Sequence, residues 1–193
     1  MKRYPLIAAA ILLAVLQIGF LSFIIGSRAA ILQSGKEVLL KIEPVDPRDL
    51  LRGDYIIVRY EVSSLPVKLI AGLPAGELVS EARPVFLRLR KDPDGYWRTV
   101  SASLEPPAAA PASEDEADIQ GAITAGWTLN ADTTIPVSFG IERFYVPEGE
   151  GRAIESDLRE RPFGIRVALA RDGTPQIKAL VDGNKVLFEE PIY

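Results

Sequence analysis

The sequence predicts an α+β protein that is mostly β, with one N-terminal transmembrane helix and a single antiparallel β-rich extracytoplasmic domain that carries two or three short helices. Two observations support this prediction. Residues 6–26 are almost continuously apolar, and the rest of the chain falls into short stretches of period-two alternation separated by Gly, Pro and Asp turn signals. Short strands joined by tight turns are typical of antiparallel sheets. This pattern leaves both a barrel and a sandwich open.

The first stretch has the length of a membrane span. Only Gln17 and Ser22 interrupt its 21 residues, which extend roughly 31 Å at ~1.5 Å per residue, against a hydrocarbon core of about 30 Å. A cleaved signal peptide is the alternative, but its apolar core would run only about 7–15 residues and end in a small-residue cleavage site. We therefore predict an uncleaved anchor and short linker in residues 1–35, and a β-rich domain in residues 36–193.

Charge around the span predicts its orientation. Lys2, Arg3 and the amino terminus outnumber Arg28 and Lys36, which favours a cytoplasmic N-terminus and a periplasmic domain at the bacterial inner membrane. Residues 36–193 hold 19 of the 22 basic residues and all 26 acidic ones, a net charge of −7. An acidic domain repels nucleic acid, so we expect none as a partner.

The chain contains neither cysteine nor histidine. This composition excludes a disulfide framework and argues against zinc, copper or haem ligation and against Ser-His or Cys-His nucleophiles. We accordingly expect no metal, no cofactor and no catalytic residue, which favours a non-enzymatic role.

The most informative stretch runs from Pro44 to Val62. After a first strand in residues 36–45, Asp46 can cap a short helix that Gly53 ends. From Asp54 the period becomes two, and one face of the new strand is wholly apolar or aromatic. Its members are Ile56, Val58, Tyr60 and Val62.

Residues 53–60 read G-D-Y-I-I-V-R-Y and resemble the signature of the bacterial GDYXXLXY family, with Val58 in place of leucine. A later stretch, residues 141–149, is also similar to that family. The resemblance implies a membrane-anchored envelope protein that is often thought of beside multi-pass membrane proteins, and it implies no catalytic residues.

We therefore favour a non-enzymatic envelope module that docks on an integral multi-pass membrane protein as an accessory subunit. Two alternatives stay open. One is a membrane-tethered hydrolase using Ser64 and Lys68, and the other is a ligand or cation sensor using carboxylates such as Asp46, Asp49 and Asp54. The candidate partner contacts are Arg52, Gly53, Asp54, Tyr55, Tyr60, Glu142, Arg143 and Tyr145.

Turn signals organise the remainder. Residues 65–82 are broken by Pro and Gly, which predicts an irregular segment with at most a short helix near Glu77 and with apolar members that cover the core. Residues 83–104 predict a hairpin around an Asp-Pro-Asp-Gly turn. Residues 161–181 repeat this hairpin 78 positions later, which suggests an internal duplication.

Composition also separates the two halves. Residues 105–118 are rich in Pro, Ala and acid, and predict a flexible loop with a solvated charge run. Beyond it we expect strands in residues 119–129 and 135–146, a short helix in residues 150–160, and a last strand in residues 185–188.

Overall fold

The computed structural model describes residues 4–43, 55–72, 76–111, 113–145, 163–183 and 185–190. One long helix, α1, spans Tyr4–Ser34. The strands are β1 (Lys36–Glu43), β2 (Tyr55–Ile57), β3 (Arg59–Tyr60), β4 (Ser64–Pro66), β5 (Glu77–Val79), β6 (Arg83–Lys91), β7 (Trp97–Ser103), β8 (Glu116–Ile123), β9 (Trp127–Leu129), β10 (Thr134–Ser138), β11 (Arg143–Tyr145), β12 (Phe163–Leu169), β13 (Pro175–Asp182) and β14 (Lys185–Glu189). Short 3₁₀ turns cover Glu61–Ser63 and Val67–Leu69.

The strands form two five-stranded sheets, ordered β14-β13-β12-β1-β3 and β4-β10-β8-β6-β7, and two small ribbons, β11-β2 and β5-β9. Neighbouring strands are antiparallel throughout. Both large sheets contribute to one core, with Leu40 and Ile165 from the first and Leu87 and Ile119 from the second. The mostly β class is therefore confirmed, and two sheets across one core make a sandwich.

The helix joins the domain without a linker. Its candidate span covers Ile7–Gln33, with a mean hydropathy of 2.5. We expected a linker from residue 29, but helix-forming residues continue α1 to Ser34, and β1 begins at Lys36. Gly35 alone connects them, and its N–H donates to the Ile31 carbonyl at 2.8 Å. Leu32 is buried against the domain.

Both expected hairpins are present. β6 pairs with β7, and β12 pairs with β13. The turns contain Gly95 and Gly173, whose φ angles of 87° and 86° suit glycine. A register irregularity follows Arg88 in one hairpin and Arg166 in the other, again 78 residues apart.

The same offset relates further strand pairs. Ile57 pairs with Arg143 in the β2-β11 ribbon, and the positions 78 residues away, Ile135 and Leu65, pair in β10 and β4. Each half also gives its first strand to the hairpin of the other half, because β1 pairs with β12 and β8 pairs with β6. An internal duplication predicts these relations.

Several expectations need correction. Residues near Glu77 form strand β5 rather than a helix, because they pair with β9. The acidic run is not wholly solvated, since its end belongs to β8, where Glu116 pairs with Arg90 and Asp118 with Arg88. The strands expected in residues 119–129 and 135–146 are each divided into two.

Other expectations divide into those that the structure confirms and those that fall outside it. Val67 and Ile70 are buried, which confirms that the segment after β4 covers the core. The helices expected after Asp46 and in residues 150–160 lie outside the described residues.

Candidate functional site

A cleft of about 910 Å³ lies where α1, the β10-β11 connection and the start of β13 meet. We call it the junction cleft. A second depression of about 280 Å³, the helix groove, runs along the last turns of α1. Both are lined by Arg28, Gln176 and Glu190. The junction cleft is also lined by Ile57, Ser138, Gly140, Ile141, Glu142, Arg143, Pro175 and Ile177, and the helix groove by Ile24, Ile25, Ala29 and Leu32.

The helix fixes the depth of both depressions. Its apolar stretch ends at Gly26, and Arg28 is the first charged residue after Arg3. At ~1.5 Å per residue, Arg28 lies only about 3 Å beyond Gly26, and Ser34 about 12 Å beyond it. Since the headgroup layer on each side of a hydrocarbon core is roughly 5–8 Å thick, a membrane-spanning α1 places Arg28 in that layer. The domain then begins at its outer edge.

Tyr60 holds the wall of the junction cleft. Its side chain is fully buried, and its hydroxyl donates to the carbonyl of Ile141 at 2.5 Å. Burial, reinforced by the negative charge of Glu142, raises the pKa of the Tyr60 phenol well above its usual range, so it stays a donor at neutral pH. We expected Tyr60 to contact a partner. The structure corrects this, because a side chain in the core is not available to another protein.

Glu142 braces the same wall from the other side. Its Oε1 accepts from the N–H of Phe139 at 2.5 Å, from the hydroxyl of Ser138 at 3.1 Å and from the N–H of Gly140 at 3.3 Å. Its backbone carbonyl accepts from the N–H of Val58 at 2.9 Å. The β10-β11 connection is therefore tied to itself and to the motif strand, which gives the cleft a preformed rim.

Arg143 is the exposed member of the candidate contacts that the structure describes. It lies in β11, pairs with Ile57 of β2 and lines the junction cleft. Tyr55 and Tyr145 pair through their backbones, and their side chains lie outside the described part of the chain, as do Arg52, Gly53 and Asp54 entirely. The structure thus brings the motif strand beside the later stretch that shares the family resemblance.

Three lining residues escaped the sequence analysis as site residues. Arg28 carried a usable signal, because it is the first charge beyond an apolar span. Gln176 and Glu190 carried none, since only the approach of β13 and the end of β14 to the helix brings them there.

The geometry gives the two alternative functions little support. Ser64 is half-buried in β4 and Lys68 is exposed in a 3₁₀ turn, and the hydrogen bonds of the described residues include none between them. Within the same described ranges, no three acidic side chains cluster as a metal site would require. Asp46, Asp49 and Asp54 lie outside those ranges.

Comparison with known proteins gives one match. A family model described as "GDYXXLXY protein" matches residues 17–180, from the middle of α1 into β13. No curated protein and no solved structure matches the chain.

Proposed function

Since the chain belongs to the GDYXXLXY family, we propose that it is a non-enzymatic, membrane-anchored envelope module that docks on an integral multi-pass membrane protein as an accessory subunit. In this proposal α1 crosses the inner membrane of a bacterial cell once, with its N-terminus in the cytoplasm. The β sandwich then lies on the periplasmic side, against the bilayer surface.

The rigid junction between helix and domain is the observation that carries the proposal. A Cβ at residue 35 would lie 2.5 Å from the carbonyl oxygen of Ile31 and 2.8 Å from that of Leu169, so helix and sheet meet backbone to backbone. A tethered enzyme that searches for substrates gains from a long linker. A module that presents one face to a partner fixed in the same membrane gains from a stiff junction, because less orientational freedom is lost on binding.

The same geometry selects the docking face. The junction cleft opens at the membrane end of the sandwich, where a multi-pass partner also rises from the bilayer. Arg143 is the exposed charge on its rim, and the braced connection beside it changes shape little on binding. Arginine is enriched among the residues that dominate binding energy in interfaces.

The test is affinity purification of the full-length protein from its native membranes in mild detergent, followed by mass spectrometry. We expect a stoichiometric multi-pass protein with the wild type. Arg143→Glu should lower its recovery at least tenfold. Lys185→Glu makes the same charge reversal at the opposite end of the sheet, beside Asp182, and should leave recovery unchanged.

Purification of the wild-type chain alone would overturn the docking function. Equal partner recovery with Arg143→Glu and Lys185→Glu would leave a partner but remove the junction cleft as its docking face.

A further inference from the structure

We propose that the helix groove binds one phospholipid with an ethanolamine headgroup, whose phosphate contacts Arg28 and whose primary ammonium contacts Glu190. This binding goes beyond the docking function, and it requires no protein partner. It requires only that α1 spans the bilayer.

The groove is apolar on one side and charged on the other. Ile24, Ile25, Ala29 and Leu32 supply the apolar side. The exposed fraction of Ile24 is 39%, against 73% for Phe23, because Ile24 lines the groove whereas Phe23 faces away. An acyl chain lying along α1 would cover this apolar side, so the ligand needs a hydrocarbon tail as well as a polar head.

The polar side carries one cation and one anion. The guanidinium of Arg28 presents several N–H donors in a plane, an arrangement that matches phosphate oxygens. Among the residues that the structure describes, none forms an ion pair with Arg28. Glu190 is held in place through its N–H, which donates to the Lys178 carbonyl at 2.8 Å. A zwitterionic headgroup satisfies both charges at once.

The charges also discriminate among headgroups. An anionic glycerol headgroup would leave Glu190 without a counter-charge, on a domain whose net charge is −7. A choline headgroup carries a positive charge but no N–H, so it makes no hydrogen bond with the carboxylate. A primary ammonium offers both charge and donors, and charge-assisted hydrogen bonds are roughly twice as strong as neutral ones.

Depth and size agree with a lipid headgroup. Arg28 lies in the headgroup layer when α1 spans the membrane, as derived above, so a phosphate of the surrounding bilayer is already at its level. The volume of about 280 Å³ lies at the lower end of the range of ligand pockets, roughly 300–1,000 Å³. It accommodates a headgroup and the first part of a chain, with the rest of the lipid in the bilayer.

The experiment is native mass spectrometry of the full-length protein in detergent, after delipidation and incubation with equimolar dioleoyl lipids bearing ethanolamine, glycerol or choline headgroups. We expect one ethanolamine lipid per chain, retained about tenfold over the other two. Arg28→Gln should reduce retention of all three lipids about tenfold. Glu190→Gln should remove the preference for ethanolamine over choline, and Lys185→Gln should change nothing.

Each contrary result has a definite meaning. Equal retention of the three lipids, preference for the glycerol lipid, or unchanged ethanolamine retention in both groove variants would overturn the proposal. Recovery from native membranes without lipid, but with a protein that Arg28→Gln removes, would assign the groove to that protein. The urea midpoint of each variant must match the wild type, and Arg28→Lys, which keeps the charge, should restore part of the binding if Arg28→Gln misfolds. Because the isolated chain is used, failure here leaves the docking function standing.

Discussion

Replacing Tyr60 with phenylalanine isolates one hydroxyl in the wall of the junction cleft. The ring stays in the core, so no cavity forms, but the Ile141 carbonyl loses its donor at 2.5 Å. Leaving a buried acceptor without a partner costs about 1–3 kcal/mol. We expect Tyr60→Phe to lower the free energy of unfolding by that amount.

The assay is urea unfolding of the full-length protein in non-ionic detergent, followed by tryptophan fluorescence. Trp97 is buried in the sandwich and reports its unfolding. The midpoint should fall while the slope of free energy against urea stays constant, because the same surface is exposed. Hydrogen exchange should become faster at residues 138–142 and stay unchanged at the β12-β13 turn.

The pH dependence gives a second measurement on the same variant. An unfolded tyrosine releases its proton near pH 10, whereas burial and the Glu142 charge raise the pKa of folded Tyr60 above that value. The folded state therefore holds the proton that the unfolded state releases, and the wild type loses about 1.4 kcal/mol per pH unit above roughly pH 10 through this group. Tyr60→Phe lacks this loss, so the two proteins should converge at alkaline pH.

Two results would refute this reasoning. A Tyr60→Phe protein within about 0.3 kcal/mol of the wild type at pH 7 would mean that the hydroxyl contributes nothing net, well below the 1–3 kcal/mol expected for an orphaned acceptor. A stability difference that is constant from pH 7 to pH 11 would mean that Tyr60 titrates as it does in the unfolded chain.

The same unfolding assay tests two further features. Gly35→Ala should destabilise the protein by about 1–3 kcal/mol, since the new methyl group meets two backbone carbonyl oxygens, whereas Gly26→Ala, with open space around it, should not. Asp118→Asn should cost about 1.5–3 kcal/mol, because it removes the charge of a half-buried pair whose oxygens lie 2.8 and 2.9 Å from the Arg88 guanidinium. The exposed Asp94→Asn should leave the midpoint almost unchanged, as surface ion pairs contribute little.

Local signals explain which parts of the fold were predictable. Asp92 to Gly95 form a turn through their own backbone and side chains, including the Tyr96 N–H that donates to Asp94 at 3.0 Å, so the sequence predicted the β6-β7 hairpin. Strand β5 carries no such signal. Its pairing with β9, about 50 residues away in the chain, decides its conformation.

The burial of Glu116 shows why composition misled. Its neighbours in the chain are acidic or small, a composition typical of solvated loops. Its strand partners are arginines of β6, and the Arg90 guanidinium lies 2.7 Å from its carboxylate. A charge run thus becomes a strand when a neighbouring strand supplies the opposite charges at every second position.

The candidate site was predictable only in part for the same reason. Resemblance placed Glu142 and Arg143 beside the motif, but nothing in their spacing showed that β11 pairs with β2. Period-two alternation put Tyr60 on the apolar face of its strand, and its burial follows from that pattern. The family signature had suggested a contact residue at a position where alternation already indicated a core residue.

The two halves of the domain also separate what the fold requires from what the cleft adds. Arg143 and Ile57 pair at the junction cleft, and the pair 78 residues away is Leu65 and Ile135, both almost wholly buried. The same ribbon geometry is thus built in one half with two apolar side chains facing the core. The fold therefore does not require a charge at residue 143, and neither does the register of the ribbon. A guanidinium that replaces a core leucine at equivalent geometry, at the membrane end of the sandwich, is better explained by what it contacts outside the chain than by stability.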